Sequence, residues 1–157
     1  MILKGIIDED FINYKKPSMT LMFPICKTFK CDKECGKQVC QNSRLATAPD
    51  IKISQDDVIQ RYLNNPITEA IVCQGLEPFD SWYSLFHLIY AFRKISNDDI
   101  VIYTGYTEKE LEGKIHSLCK FKNIIIKFGR FIPGQRYHHD NVLGVNLASD
   151  NQYAKEI

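Results

Sequence analysis

Four of the six cysteines of this 157-residue chain fall within fifteen residues, in Cys26-Lys-Thr-Phe-Lys-Cys31-Asp-Lys-Glu-Cys35-Gly-Lys-Gln-Val-Cys40. Cysteines this close usually share a ligand. Lys27, Lys30, Lys33 and Lys37 run through the same segment. Their positive field is expected to lower the thiol pKa values and favour the thiolate, the form that binds metal. The competing reading is a surface loop of free or disulfide-bonded cysteines. It fits poorly with a chain that shows no export signal, because disulfides persist in oxidising compartments. The segment therefore reads as a metal site, and its spacing leaves two metals open. Structural zinc favours Cys-x2-Cys knuckles, whereas the gaps here are four, three and four residues. Iron–sulfur clusters also take thiolates from one loop, and a four-iron cluster on three cysteines keeps one iron open for a small ligand.

Composition narrows the setting. Residues 1–157 make one domain, long enough for a real core. Apolar residues are 45% and charged residues 25%, as in ordinary water-soluble domains. A formal net charge of +1 gives no electrostatic case for nucleic acid as a partner. Met1-Ile-Leu-Lys-Gly-Ile-Ile-Asp8 is too short for a signal peptide and turns acidic at once. No apolar run approaches the ~20 residues of a membrane span. Reduced cysteines without an export signal place the chain in the cytoplasm, with no membrane partner.

The elements that must position the cysteines follow from periodicity. Ile2 to Ile7 is apolar and β-branched and reads as an edge strand. Thr20-Leu-Met-Phe-Pro-Ile25 lacks a helical period and reads as a buried strand that delivers the chain into Cys26. Ser54 caps a helix with Asp56 and Asp57 in its first turn, and Asn64-Asn65-Pro66 stops it. Thr68 to Cys73 is the next strand, followed by the loop Gln74-Gly-Leu-Glu-Pro78. Asp80 is expected to cap a helix whose Trp82, Leu85, Phe86, Ile89 and Tyr90 repeat at three and four. Ile100 to Tyr103 is a third strand, and Thr107 with Glu110 forms a capping box for another helix. Asn123 to Phe128 is a fourth strand. Arg130 to Asn146 reads as irregular, with Tyr137-His138-His139-Asp140 an exposed loop and its histidines not ligands. Cys73 and Cys119 read as buried and inert.

Strands alternating with helices imply an α/β fold with a mostly parallel sheet. Four or five units are too few to close an eight-fold barrel, so the expectation is a partial, open (β/α) barrel with a curved sheet. The loops that follow its strands then converge on the C-terminal edge. These are the cysteine loop, Gly75–Pro78, Thr104–Tyr106 and Ser149–Gln152.

With those motifs in that order, the chain resembles the small radical S-adenosylmethionine proteins, and within them the activating component of anaerobic ribonucleotide reductase. The motifs that carry the likeness are the cysteine loop, Gly75-Leu76-Glu77-Pro78, Ile102-Tyr103-Thr104-Gly105-Tyr106 with Glu110-Leu111, and Ser149-Asp-Asn-Gln152. They span about Thr20 to Gln152. The resemblance implies a 4Fe-4S cluster on three cysteines, with S-adenosylmethionine on the open iron through its amino and carboxylate groups. One electron then splits that cofactor into methionine and a 5′-deoxyadenosyl radical.

Carried over residue by residue, the likeness assigns Cys26, Cys31 and Cys40 as ligands, with Cys35 the alternative for the middle position. It assigns Glu77, positioned by Gly75 and Pro78 in the cofactor-binding loop, to the cofactor ammonium. Thr104, Gly105 and Tyr106 go to its ribose or methionine side, and Asn151 and Gln152 are further cofactor-binding candidates. This chain departs from the family in two places. Gly-Leu-Glu-Pro stands for the usual Gly-Gly-Glu-Pro, and no Cys-x3-Cys-x2-Cys occurs. The implied activity is that of an oxidoreductase abstracting a backbone hydrogen from a glycyl-radical protein such as anaerobic ribonucleotide reductase. A flavodoxin- or ferredoxin-type protein would donate the electron. The alternatives are a small radical enzyme acting on another peptide or metabolite, and a non-catalytic zinc-binding interaction module.

Overall fold

The β-branched runs of the sequence become the middle of one sheet. The structure, a computed structural model, describes residues 1–157. Its strands are β1 (Ile2–Leu3), β2 (Gly5–Asp10), β3 (Ser18–Phe23), β4 (Ile51–Lys52), β5 (Ala70–Gly75), β6 (Asp99–Tyr103), β7 (Ile124–Phe128), β8 (His138–Asp140), β9 (Val145–Leu147) and β10 (Tyr153–Glu156). Six of them form a sheet in the order β10-β7-β6-β5-β3-β2. The inner four are parallel, in a register that sets Phe23 beside Gly75 and Tyr103 beside Lys127. The edge strands β2 and β10 are antiparallel to their neighbours. The fold is thus mixed α/β with a mostly parallel centre.

Both sheet faces are covered, which is why the inner strands read as continuous apolar runs rather than alternating ones. Helices α2 (Gln55–Leu63), α3 (Trp82–Phe92) and α4 (Glu112–Leu118) connect parallel neighbours and pack on one face. Their Val58, Tyr62, Leu85, Ile89 and Leu118 meet Leu21, Phe23, Ile71, Ile102 and Ile126 in a single core. On the other face, Ala70, Val72, Val101 and Ile125 pack against Tyr14, Leu143 and Leu147. Because the four inner strands run the same way, their exit loops all leave at one edge. No helix is long and apolar enough to cross a membrane.

Several local expectations change. The single edge strand over Ile2–Ile7 is two strands, since β1 leaves the sheet to pair antiparallel with β4. Ser54 caps α2 as expected, accepting from Asp57 N at 3.0 Å. Asp80 does not cap α3: a 3-10 turn over Pro78–Ser81 precedes the helix and Glu77 caps that turn. The Asp80 carboxylate instead accepts from Lys27 N at 2.6 Å and from the Tyr106 hydroxyl at 2.9 Å. The Thr107–Glu110 box forms, but it opens a 3-10 turn over Lys109–Leu111 that leads into α4. Tyr137–Asp140 is not simply an exposed loop. His138–Asp140 is strand β8 of a hairpin with β9, held by the buried Asp140 carboxylate, which accepts from Val142, Leu143 and Ala154 N–H groups. Hydrophobic cover for the second sheet face supplies the reason, through Leu143 and Leu147.

Candidate metal centre

The cysteine loop begins where β3 ends, and three devices fold it back over the sheet edge. Phe29 takes the left-handed conformation (φ 42°, ψ 47°) and starts the short helix α1 (Lys30–Cys35), which Gly36 ends at φ 65°. The Asp32 carboxylate then accepts from both Val39 N and Cys40 N at 2.7 Å, fixing the turn that presents Cys40. Asn42 finally donates to Gly75 O at 2.9 Å and ties the loop to the end of β5. The Cys26 sulfur accepts from Phe29 N at 3.3 Å.

Cys26, Cys31 and Cys40 consequently line one cavity of about 420 Å³, together with Gly75, Glu77, Thr104, Gly105, Tyr106 and Gln152. All three thiols are half-buried. Cys35, Pro78 and Asn151 do not line it. A single zinc ion would need its thiolates converging at about 2.3 Å on one point; Cys26, Cys31 and Cys40 are three among the residues around one cavity. The thiols flank a volume instead. Soft thiolates are the ligands that iron–sulfur clusters take. Burial pushes the Cys26, Cys31 and Cys40 thiols above their ordinary pKa. The expected lysine field does not offset this, and the Lys30 ammonium is engaged by Glu110. Thiolate formation is therefore left to metal binding itself, which displaces the protons. Of the two remaining cysteines, Cys73 is fully buried as expected, but Cys119 is exposed at the end of α4.

Glu77 is the buried acid of the site, 4% exposed. Its Oε1 accepts from the Thr104 hydroxyl at 2.8 Å and from Phe79 N at 3.2 Å; Oε2 accepts from Gly105 N at 2.9 Å. Desolvation outweighs these donors and lifts its pKa to about 7. Thr104 and Gly105 of the third motif thus act first as the cradle of the second. Tyr106 lines the cavity while its hydroxyl donates to Asp80, and burial with that carboxylate raises its pKa to about 12. Two glycines permit the close approach of these loops. At Gly75 (φ 105°) an added Cβ would lie 2.7 Å from Phe23 N, and at Gly129 (φ 95°) 2.7 Å from Asn151 O.

A charged clamp holds the cysteine loop from the far side. Glu110 is shared by Lys30 of α1 and Arg130 after β7. Burial alone would raise its carboxyl, but hydrogen bonds from Lys30, Thr107 and Arg130 hold it at about 2. The Ser149–Gln152 motif staples the same post-β7 segment. Asn151 donates to Arg130 O at 2.8 Å, and Gln152 bridges Ala148 N and Gly129 O.

Sequence reasoning missed Lys127, which lines the cavity and is 7% exposed. Its signal was present: it is the only charge in the apolar run Ile124-Ile-Ile-Lys-Phe128, and a fully buried lysine is rare without a task. Asp32 and Asn42 were missed as well. A family model described as "4Fe-4S single cluster domain" matches residues 19–153. No curated protein and no solved structure matches the chain.

Proposed function

This chain belongs to the family of 4Fe-4S single cluster domains and binds such a cluster, and from that premise we propose that it is a radical S-adenosylmethionine enzyme that activates a glycyl-radical protein. The reading makes its sheet a partial, open (β/α) barrel. The observation that carries it is the meeting, in one cavity, of three thiols and a buried, preorganised carboxylate. Three cysteines leave a coordination position for a small ligand, and Glu77 is an acceptor for that ligand's ammonium. Cys26, Cys31 and Cys40 would hold the cluster, which when bound would supply the single electron that reductive cleavage of S-adenosylmethionine needs.

The chain's own residues bind, orient and exclude water. Thr104, Phe79 N and Gly105 N fix both Glu77 oxygens, and Oε2, with a single donor, keeps accepting capacity toward the cavity. Gly105 keeps the wall thin: a Cβ there would stand 3.7 Å from Glu77 Oε2 and 4.0 Å from the Cys31 sulfur. Thr104 and Tyr106 line the remaining wall, and a dry, rigid wall protects a reactive intermediate from side reactions. Ile12 lines the cavity and is 79% exposed, an apolar rim suited to a protein substrate. Anaerobic ribonucleotide reductase is the type of partner proposed, with a flavodoxin or ferredoxin as electron donor.

The test is direct. Anaerobically reconstituted protein should hold about four iron and four sulfide, give a reduced-cluster paramagnetic resonance signal, and form 5′-deoxyadenosine under strong reductant. With its partner, cleavage should accelerate and leave a glycyl radical on that partner. A fully loaded cluster that yields no 5′-deoxyadenosine refutes radical catalysis.

A further inference from the structure

Helix α3 carries no Asp, Glu, Lys or Arg anywhere in Trp82–Phe92, and the fold covers only one side of it. Leu85, Leu88, Ile89 and Phe92 are buried in the core, while Tyr83 is 74% exposed and Tyr90 48%. A row of rings runs along the outer side. Trp82 and Phe86 lie 5.3 Å apart, Phe86 and Phe121 5.8 Å, and Tyr90 and Phe121 6.5 Å. A contiguous exposed apolar patch marks an interaction site, and aromatic side chains are the anchors that such sites favour.

Cations rim the row. Lys94 stands over the Tyr90 ring at 4.4 Å, Lys120 over Phe86 at 4.8 Å and Lys114 over Trp82 at 5.7 Å. None of the three belongs to an ion pair. Cation–π attraction holds these ammonium groups in place without neutralising them. The face is therefore aromatic at its centre and positive at its margin. Its complement is an acidic protein surface around an apolar or aromatic centre.

The place of this face in the fold narrows the partner. One end of the row joins the wall of the cluster cavity. The Phe79 ring stacks on Trp82 at 6.1 Å, and Phe79 N donates to Glu77 Oε1 at 3.2 Å. The same turn holds the cysteine loop, since Asp80 accepts at 2.6 Å from the N–H of Lys27, the residue after Cys26. Ile12, by contrast, lies two residues before Tyr14, in the cover of the other sheet face. A glycyl-radical protein has to reach that rim, whereas an electron carrier needs only to come close to the cluster. The two approach from different sides and can be bound together.

We propose that the outer face of α3, from Trp82 to Tyr90 with Lys94, Lys114 and Lys120 at its margin, docks an acidic one-electron carrier protein. The proposal rests on the proposed function, which calls for such a donor, and gives the donor a surface. The carrier's flavin or iron–sulfur centre is oxidised by one electron, the oxidised cluster takes that electron, and no bond or proton is exchanged.

The experiment titrates cluster-loaded full-length protein with purified flavodoxin and with purified ferredoxin, both oxidised, without oxygen and at low salt. It compares wild type, Tyr83→Ala and the double variant Lys94→Glu/Lys120→Glu. All three side chains are exposed, and matching iron content with an unchanged urea midpoint confirms folded, loaded variants. The charge-reversed variant should bind its carrier at least about tenfold more weakly and lose most of the salt dependence. Tyr83→Ala should bind at least about fivefold more weakly. Cluster reduction by the reduced carrier should slow in parallel, while reduction by dithionite should change less than about twofold. Variants that bind and are reduced like wild type overturn the proposal, as does wild type that binds neither carrier. A wild-type dimer that Tyr83→Ala dissociates makes the face a self-interface and overturns it too. Formation of 5′-deoxyadenosine under chemical reductant reads the proposed function separately. If it forms while docking fails, that function stands without this surface; if docking is as expected and none forms, radical catalysis falls and the surface stands.

Discussion

Glu77→Gln removes a charge that the fold holds against its preference for water. The folded pKa of Glu77 is about 7 against an ordinary 4.5, so the native state keeps this proton to higher pH than the unfolded chain does. Stability from this group is therefore fully present below about pH 4.5 and is lost as pH rises through about 7. The distance from 4.5 to about 7, at about 1.36 kcal/mol per pH unit, sets an upper bound of about 3 kcal/mol. Between pH 5 and pH 8 the wild type should lose about 2–3 kcal/mol through Glu77 alone. In a domain of this size that corresponds to a fall of roughly 4–12 °C in the unfolding midpoint. Gln cannot ionise, and its amide nitrogen facing Gly105 N costs a pH-independent ~1–3 kcal/mol. Urea unfolding of both proteins at pH 5 and pH 8 separates the two effects, because the cysteines and other titrating groups are common to both and cancel in the comparison. Wild type and variant with the same pH dependence, within about 0.5 kcal/mol, would refute the burial argument.

Four further outcomes are expected. Glu77→Gln should keep the cluster and weaken S-adenosylmethionine binding roughly ten- to a hundredfold, the worth of a charge-assisted hydrogen bond of ~1.5–3 kcal/mol; an unchanged dissociation constant would leave Glu77 as a cap of the Pro78–Ser81 turn. Cys26→Ala, Cys31→Ala and Cys40→Ala should each abolish cluster retention while Cys35→Ala keeps most of it, as read by iron and sulfide content. Loss in Cys35→Ala with retention in Cys31→Ala would reverse the ligand assignment. Asp32→Ala should lower iron retention by freeing the Val39 and Cys40 N–H groups, yet shift the unfolding midpoint little, since the loop lies outside the core; an unaltered iron content would show that Cys40 needs no such support. Gly75→Ala should destabilise by at least ~2 kcal/mol, because φ 105° and a Cβ 2.7 Å from Phe23 N cannot both be relieved; a wild-type urea midpoint would contradict the close approach of β3 and β5.

The order of elements was legible before any coordinates. β-branched runs such as Ile100-Val-Ile and Ile124-Ile-Ile are strands because both their faces are buried, and a run buried on both sides needs no polar alternation. The crowding of Cys26, Cys31, Cys35 and Cys40 announced a metal site by composition alone. Local chemistry was equally readable where it is local: Ser54 caps α2 and Thr107 meets Glu110 because each pair lies three residues apart.

What depends on residues far apart in the chain was decided only by the folded molecule. Asp80 has the sequence signature of a helix cap, but its carboxylate is taken by Lys27 N–H and the Tyr106 hydroxyl, 53 and 26 residues away. The lysines among the cysteines suggested a thiolate-favouring field, yet burial decides the thiol pKa and Lys30 is spent on Glu110, 80 residues along. His138–Asp140 looked like loop because its pattern is polar; it becomes a strand since Asp140 turns the hairpin that lays Leu143 and Leu147 on the second sheet face. Lys127 carried a visible charge in the sequence, but its lack of a counter-ion exists only once β7 lies beside β6 and the cavity closes around it. Residue types determined which chemistry this chain could hold. The parallel sheet, by bringing four distant loop ends to one edge, determined which residues hold it together.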